Sequence, residues 1–206
     1  MTDPAFNDFS EAKLDQCFKV MKAALNNGAT FWNGGQFYGP PDRNSLQLLD
    51  KYFTKYPEDA DQIVLSIKGG MDMEKRMPVG DEAGVRRSVD NCLEVLDGKK
   101  KLDLFECARV DPDTPVEETM RVLKTYVDAG QLGGISLSEV SASTIRRAAK
   151  VAKIECVEIE LSMFATEAIE NGVTETCHEL GTPIIAYSPL GRGFLVRISR
   201  YPVSLC

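Results

Sequence analysis

Histidine is almost absent, with His178 alone in 206 residues. A His-rich metal cluster or a Ser-His-Asp triad has little to draw on. His178 lies in a helical pattern from Val173 to Leu180 that Gly181 ends, so it reads as a solvated helix residue. The neighbouring Cys177 points elsewhere on the helix and supplies no second ligand pair. Basic charge is also scarce. Lys and Arg total 24 against 31 Asp and Glu, a net charge of -7, which leaves no broad cationic face for a nucleic-acid backbone. No apolar run approaches the roughly 18 residues of a membrane span. The six cysteines, Cys17, Cys92, Cys107, Cys156, Cys177 and Cys206, contain no C-x-x-C pair, and the opening residues lack a basic segment followed by an apolar one. Reduced thiols and a cytoplasmic location are the expectation.

What is present is a composition of 43% hydrophobic and 27% charged residues, suited to one globular domain. Strand-like runs recur at Ala29–Trp32, Ile63–Ile67, Leu102–Cys107, Gly134–Leu137, Val157–Leu161 and Pro183–Tyr187. Helical stripes lie between them, such as Phe18, Met21 and Leu25, then Leu46, Leu49 and Phe53, then Val85, Val89, Cys92 and Leu96. Thr114-Pro115-Val116-Glu117 has the spacing of a capping box with Pro at the first helical position, and Gly130 marks the stop. Alternating strands and helices, with strands too apolar to show a two-residue alternation, predict a parallel sheet covered by helices. Polar and Gly residues concentrate where the strands end, at Asn33-Gly34-Gly35, Lys68-Gly69-Gly70, Arg109-Val110-Asp111, Ser138-Glu139 and Ser188 to Gly193. Function spread over five strand ends favours a (β/α) barrel over an open doubly wound sheet.

Two nucleotide motifs fail. Gly191-Arg192-Gly193 lacks the third glycine of a dinucleotide fingerprint and follows the last strand. Gly34 and Gly39 have P-loop spacing, but Pro40 and Pro41 stand where Lys and Ser or Thr are needed. Tyr38 and Lys68 are different, because both belong to one rim of a parallel sheet. An ammonium beside a phenol favours the phenolate and is expected to lower the Tyr38 pKa toward the range of a general acid. On spacing alone, a Tyr packed beneath a loop and a Lys snorkelling off a strand end is the better reading.

The wider pattern shifts that weight. Gly28 to Asn33 with Phe37-Tyr38-Gly39, Leu65-Ser66-Ile67-Lys68, Gly134 to Glu139 and Ala186 to Leu195 resemble the aldo-keto reductases from about Glu11 to Leu195. Asn33-Gly34-Gly35 with Phe105 to Pro112 is most similar to the fungal pyridoxal-reductase-like branch. The resemblance implies a TIM barrel and hydride transfer from NADPH to an aldehyde such as pyridoxal. It implies that Tyr38 protonates the developing alkoxide and Lys68 tunes that phenol, with Asn33 beside them. It places the nicotinamide carboxamide by Ser138, Glu139 and Glu158, the last where most members carry Gln. It stacks Tyr187 on the nicotinamide ring and runs the pyrophosphate past Ser188, Leu190, Gly191 and Arg192. Two positions depart from the family: Asn33 replaces an Asp and Ala108 replaces a His, leaving Arg109 or Glu106 as candidates to orient substrate. No metal is implied.

A barrel of this kind typically has eight strands and about 250 residues. The expectation here is an incomplete TIM (β/α) barrel of about six parallel strands over residues 1–195, with a non-family tail at 196–206, the first and last family strands being absent. Open strand edges invite self-association, and Val196-Arg197-Ile198-Ser199 alternates like a surrogate edge strand. Three readings follow: an NADPH-dependent aldehyde reductase, a catalytically silent fragment acting as an interaction module, and a chain that does not fold stably.

Overall fold

A computed structural model describes residues 10–196, so all of the suggested strand at 196–199 but its first residue, and the rest of the tail, lie outside the described residues. Helix α1 (Glu11–Asn26) precedes strand β1 (Phe31–Gly35), and α2 (Ser45–Lys55) leads to β2 (Val64–Gly69). A small hairpin of β3 (Met71–Asp72) and β4 (Met77–Pro78) is followed by α3 (Glu82–Leu96), β5 (Leu104–Cys107), α4 (Val116–Asp128) and β6 (Gly134–Ser138). Then come α5 (Ala142–Ala149), β7 (Ile154–Glu160), α6 (Glu167–Glu170), α7 (Val173–Leu180) and β8 (Ile184–Tyr187).

The main sheet has six parallel strands in the order β1-β2-β5-β6-β7-β8. This is the expected half-barrel, an incomplete TIM-like barrel with β1 and β8 at its two edges. Register places Lys68 opposite Glu106 across β2 and β5, and Ser138 opposite Glu158 across β6 and β7.

The helices cover one face of the sheet. Leu49, Val89, Met120 and Ile145 pack with Leu65, Ile67, Phe105, Ile135, Leu137, Val157 and Ile159 in one buried core. The intervening residues Ser66, Lys68, Glu106, Ser136, Ser138 and Glu158 are buried too, but lie outside that apolar cluster. Successive strand side chains point to opposite faces, so the alternation judged absent is present: apolar residues face the helices and polar ones face the barrel interior. Burial on both faces had disguised it.

The cap on α4 also differs from expectation. The helix starts at Val116 with no side-chain cap, and the Thr114 hydroxyl donates to Asp111 at 2.9 Å instead. Asp111 already accepts the Gly80 and Asp113 backbone N–H groups, so it holds Thr114 in a turn rather than on the helix end. Gly130, at φ +72°, ends the helix as expected. His178 is exposed, and the five cysteines among the described residues are free thiols. Among the described residues no helix is long and apolar enough to cross a membrane.

Candidate active site

The loop after β1 carries Tyr38, and hydrogen bonds from the start of α2 fix it. Asn44 caps α2 by accepting the Leu46 N–H at 2.8 Å, while its amide donates to the Gln36 carbonyl at 2.8 Å. The Ser45 hydroxyl accepts the Gly35 N–H at 2.8 Å, and the Ser45 N–H donates to the Tyr38 carbonyl at 3.0 Å. Glycine at position 35 has a steric reason: a Cβ there would stand 3.0 Å from the Tyr38 ring. Phe37 packs edge-on to that ring at 4.8 Å.

β2 delivers Lys68 and then turns at Gly70, whose N–H donates to Ser88 Oγ at 2.9 Å and whose φ of +68° suits glycine. Only 4% of Lys68 is exposed. Its ammonium donates to Glu158 Oε1 at 2.5 Å and lies 3.5 Å from Glu106 Oε1. Asn33 ties the same carboxylates together, donating to Glu158 Oε2 at 2.5 Å and to Glu106 Oε1 at 3.3 Å. The second oxygen of Glu106 is buried without a partner.

Tyr38, Lys68, Asn33, Glu158, Arg109 and Tyr187 line one cleft of about 810 Å³ at the carboxyl ends of the strands. The structure therefore brings the three residues expected to do the chemistry to one cleft, with Tyr38 near enough to Lys68 to feel its charge. The expected depression of the phenol pKa does not result. Burial pushes Tyr38 up, the Lys68 charge pulls it down, and the carboxylates of Glu158 and Glu106 push it up again, for a net rise. Burial alone would depress Lys68, yet Glu106 and Glu158 more than offset it and leave the ammonium above its ordinary value. Glu106 is pushed up to about 8, chiefly by burial, with the Glu158 charge adding to the rise against the pull of Lys68.

The remaining expected residues are more dispersed. Tyr187 is in the cleft wall, its ring 5.8 Å from Lys68 Nζ, with its hydroxyl pushed up to about 12 by burial and by Glu139. Glu139 takes a left-handed backbone, φ +52°, and accepts the Glu160 N–H at 2.7 Å. Ser138 is buried beside a smaller cavity with Arg109 and Thr119, and its hydroxyl has no partner. Ser188 and Arg192 both have positive φ, 51° and 55°, and Leu190 is exposed. Gly191 and Arg192 line a separate groove with Phe164 and Phe194. Ala108 and Arg109 are in the cleft wall, whereas Glu106 lies beneath it at 1% exposure, out of reach of a substrate. Glu106 as a partner of Lys68 was the residue that sequence reasoning missed. The available signal was the polar member of each alternating strand pair.

A half-barrel of parallel strands with its cleft at the carboxyl rim defines a class of fold, and the relatives of this chain are of that class. The aldo/keto reductase family matches residues 6–202, and the chain belongs to that family. It is 48% identical over 187 residues to a probable pyridoxal reductase 2 of Schizosaccharomyces pombe, covering 90% of this chain and 56% of the relative. It is 40% identical over 186 residues to a putative pyridoxal reductase of Saccharomyces cerevisiae, covering 86% and 53%. The chain thus spans about half the length of the curated relatives it matches. A crystal structure of a thermostable aldo-keto reductase in complex with the inhibitor epalrestat superimposes with a TM-score of 0.76 at 21% identity, over 93% of this chain and 68% of that one, which shows the fold.

Proposed function

We propose that this chain carries the reacting end of an NADPH-dependent aldehyde reductase, with pyridoxal, reduced to pyridoxine, as substrate. The observation that supports the reading most is Tyr38 facing the same cleft as an ammonium clamped by buried carboxylates. The Tyr38 O–H gives its proton to the oxygen of the reduced carbonyl, and Lys68 stabilises the phenolate left behind. Asn33 and Glu158 hold Lys68 in place. The cofactor, when bound, supplies the hydride to the carbonyl carbon. The donor set suits a nicotinamide end: the Tyr187 ring faces the cleft, and Ser138, beside the smaller cavity that shares Arg109 with it, offers an unused buried hydroxyl that would take a carboxamide. Glu139 and Glu158 would border that carboxamide, and Ser188, Leu190, Gly191 and Arg192 would border the pyrophosphate. NADPH and pyridoxal come from the family resemblance and from the names of the relatives.

NADPH oxidation with pyridoxal tests this directly. Tyr38→Phe keeps the ring and deletes the donor, so kcat should fall by about 10²–10⁴-fold with cofactor binding preserved. Full kcat in the variant would remove Tyr38 as the acid. A second reading, a catalytically silent interaction module that associates through strand edges, draws on β1 and β8, whose Asn33 and Ala186 are exposed. Nicotinamide fluorescence titration separates the two, since a silent module would give no saturable signal.

A further inference from the structure

We propose that Glu106 and Glu158 hold one exchangeable proton between them beneath Lys68, and that this proton, rather than the residue at position 33, sets the charge felt by Tyr38. The proposal rests on the reading of Tyr38 and Lys68 given above. It starts from a count of charges in a buried space. Facing Glu106 are Lys68 from β2, Asn33 from β1, Glu158 and Cys156 from β7, Ser136 from β6 and Tyr38 from the loop above; Cys107 adjoins it on β5. Burial pushes both thiols and the phenol up, so they stay neutral. One ammonium is therefore left to compensate two carboxyl groups.

A second buried carboxylate without its own counter-charge takes up a proton rather than remain ionised. The geometry selects which. Both Glu158 oxygens already accept short hydrogen bonds, one from Lys68 and one from Asn33. Glu106 has only the longer contacts at 3.3 and 3.5 Å on one oxygen, and its other oxygen is buried and unpartnered. It shares both of its partners, Lys68 and Asn33, with Glu158. Glu106 is thus the resting home of the proton and Glu158 its acceptor, and the upward displacement of Glu106 noted above agrees. Asn33 fits the same count, since an Asp there would add a third carboxylate to a site with one cation.

The proton has a consequence one layer up. With Glu106 protonated, Lys68 and Glu158 cancel, and a phenolate forming at Tyr38 meets no net negative charge. With Glu106 ionised, the cluster is negative and resists that phenolate. Glu106 is a positioning residue for charge and touches no substrate.

Infrared spectroscopy of the intact chain tests this without relying on turnover. A carboxylic-acid C=O band should be present at neutral pH, when ordinary carboxyl groups are ionised, and should disappear as the pH rises into the alkaline range. Glu106→Gln should lack the band. Glu158→Gln should lose the band at a lower pH than the wild type, because the Glu158 charge that adds to the rise is gone while burial remains. In steady-state reduction, the wild type should lose kcat about tenfold per pH unit on an alkaline limb that Glu106→Gln removes, with KM unchanged. No acid band in the wild type at neutral pH, or the band persisting in Glu106→Gln, overturns the proposal. The same alkaline limb in both proteins does so as well. If the bands behave as expected while Tyr38→Phe keeps full turnover, the shared proton stands and the assignment of Tyr38 as acid falls.

Discussion

The ends of β2, β5 and β7 hold Lys68, Glu106 and Glu158 at 4, 1 and 5% exposure, while the end of β8 leaves Ala186, Leu190 and Arg192 in solvent. The central strands are paired on both sides, so their register and side-chain directions are doubly fixed, and charges can be set against each other at bonding distance. β8 has one partner, β7, and its following loop turns through Ser188, Gly191, Arg192 and Gly193 at positive φ. The first region determines protonation states and is sensitive to single charges. The second is a solvent-facing loop that tolerates change more readily.

Removing the central cation should produce the largest effect. Lys68→Met leaves Glu158 buried with its ammonium partner gone, and breaking a buried pair in this way typically costs about 3–5 kcal/mol. The urea midpoint should fall accordingly, while Arg192→Met at the exposed loop should leave it almost unchanged. Equal midpoints for both variants would erase the distinction between the two regions.

Stability against pH sharpens the same contrast. Glu106 keeps its proton in the fold up to about 8, whereas the unfolded chain releases it near the ordinary value of 4.5. The folded state therefore binds more protons between those values, so this group's contribution is complete below about 4.5 and is lost as the pH rises through about 8. Denaturant midpoints should decline across that window in the wild type and flatten in Glu106→Gln. A wild-type profile with no slope attributable to Glu106 would show that its proton is not retained in the fold.

Much of the frame was legible in the sequence, because β-branched runs and helical stripes reflect burial, which one chain records locally. β6 and β8 begin within one residue of expectation. β1 reaches Gly35 rather than ending at Trp32, since backbone pairing with β2 carries two glycines that have no strand propensity. β7 begins at Ile154, three residues early, because Glu155 masked the run. The two-residue strands of the hairpin are too short for any periodicity. Tyr38, Lys68 and Asn33 stand at recognisable strand or loop ends, but only the family resemblance gave them weight over a packing role. The partnership of Lys68 with Glu106 and Glu158 was not found, because their separations of 38 and 90 residues are resolved only by the register of the sheet.

The smallest expected effect falls on Ser138, which belongs to the central strands by position but has no partner, as though it were part of the open region. Its hydroxyl is buried with no hydrogen bond, so Ser138→Ala removes an unsatisfied polar group instead of an interaction. Stability should be unchanged or rise by up to about 1 kcal/mol. A serine whose only task is to end β6 would show this and nothing else. A serine that awaits a carboxamide would show it together with weaker cofactor binding, by about the 0.5–1.5 kcal/mol of one hydrogen bond, or roughly two- to twelvefold in Kd. Denaturation and nicotinamide fluorescence titration on the same variant therefore separate the two roles. A loss of stability would contradict both, and would place an unseen partner on that hydroxyl.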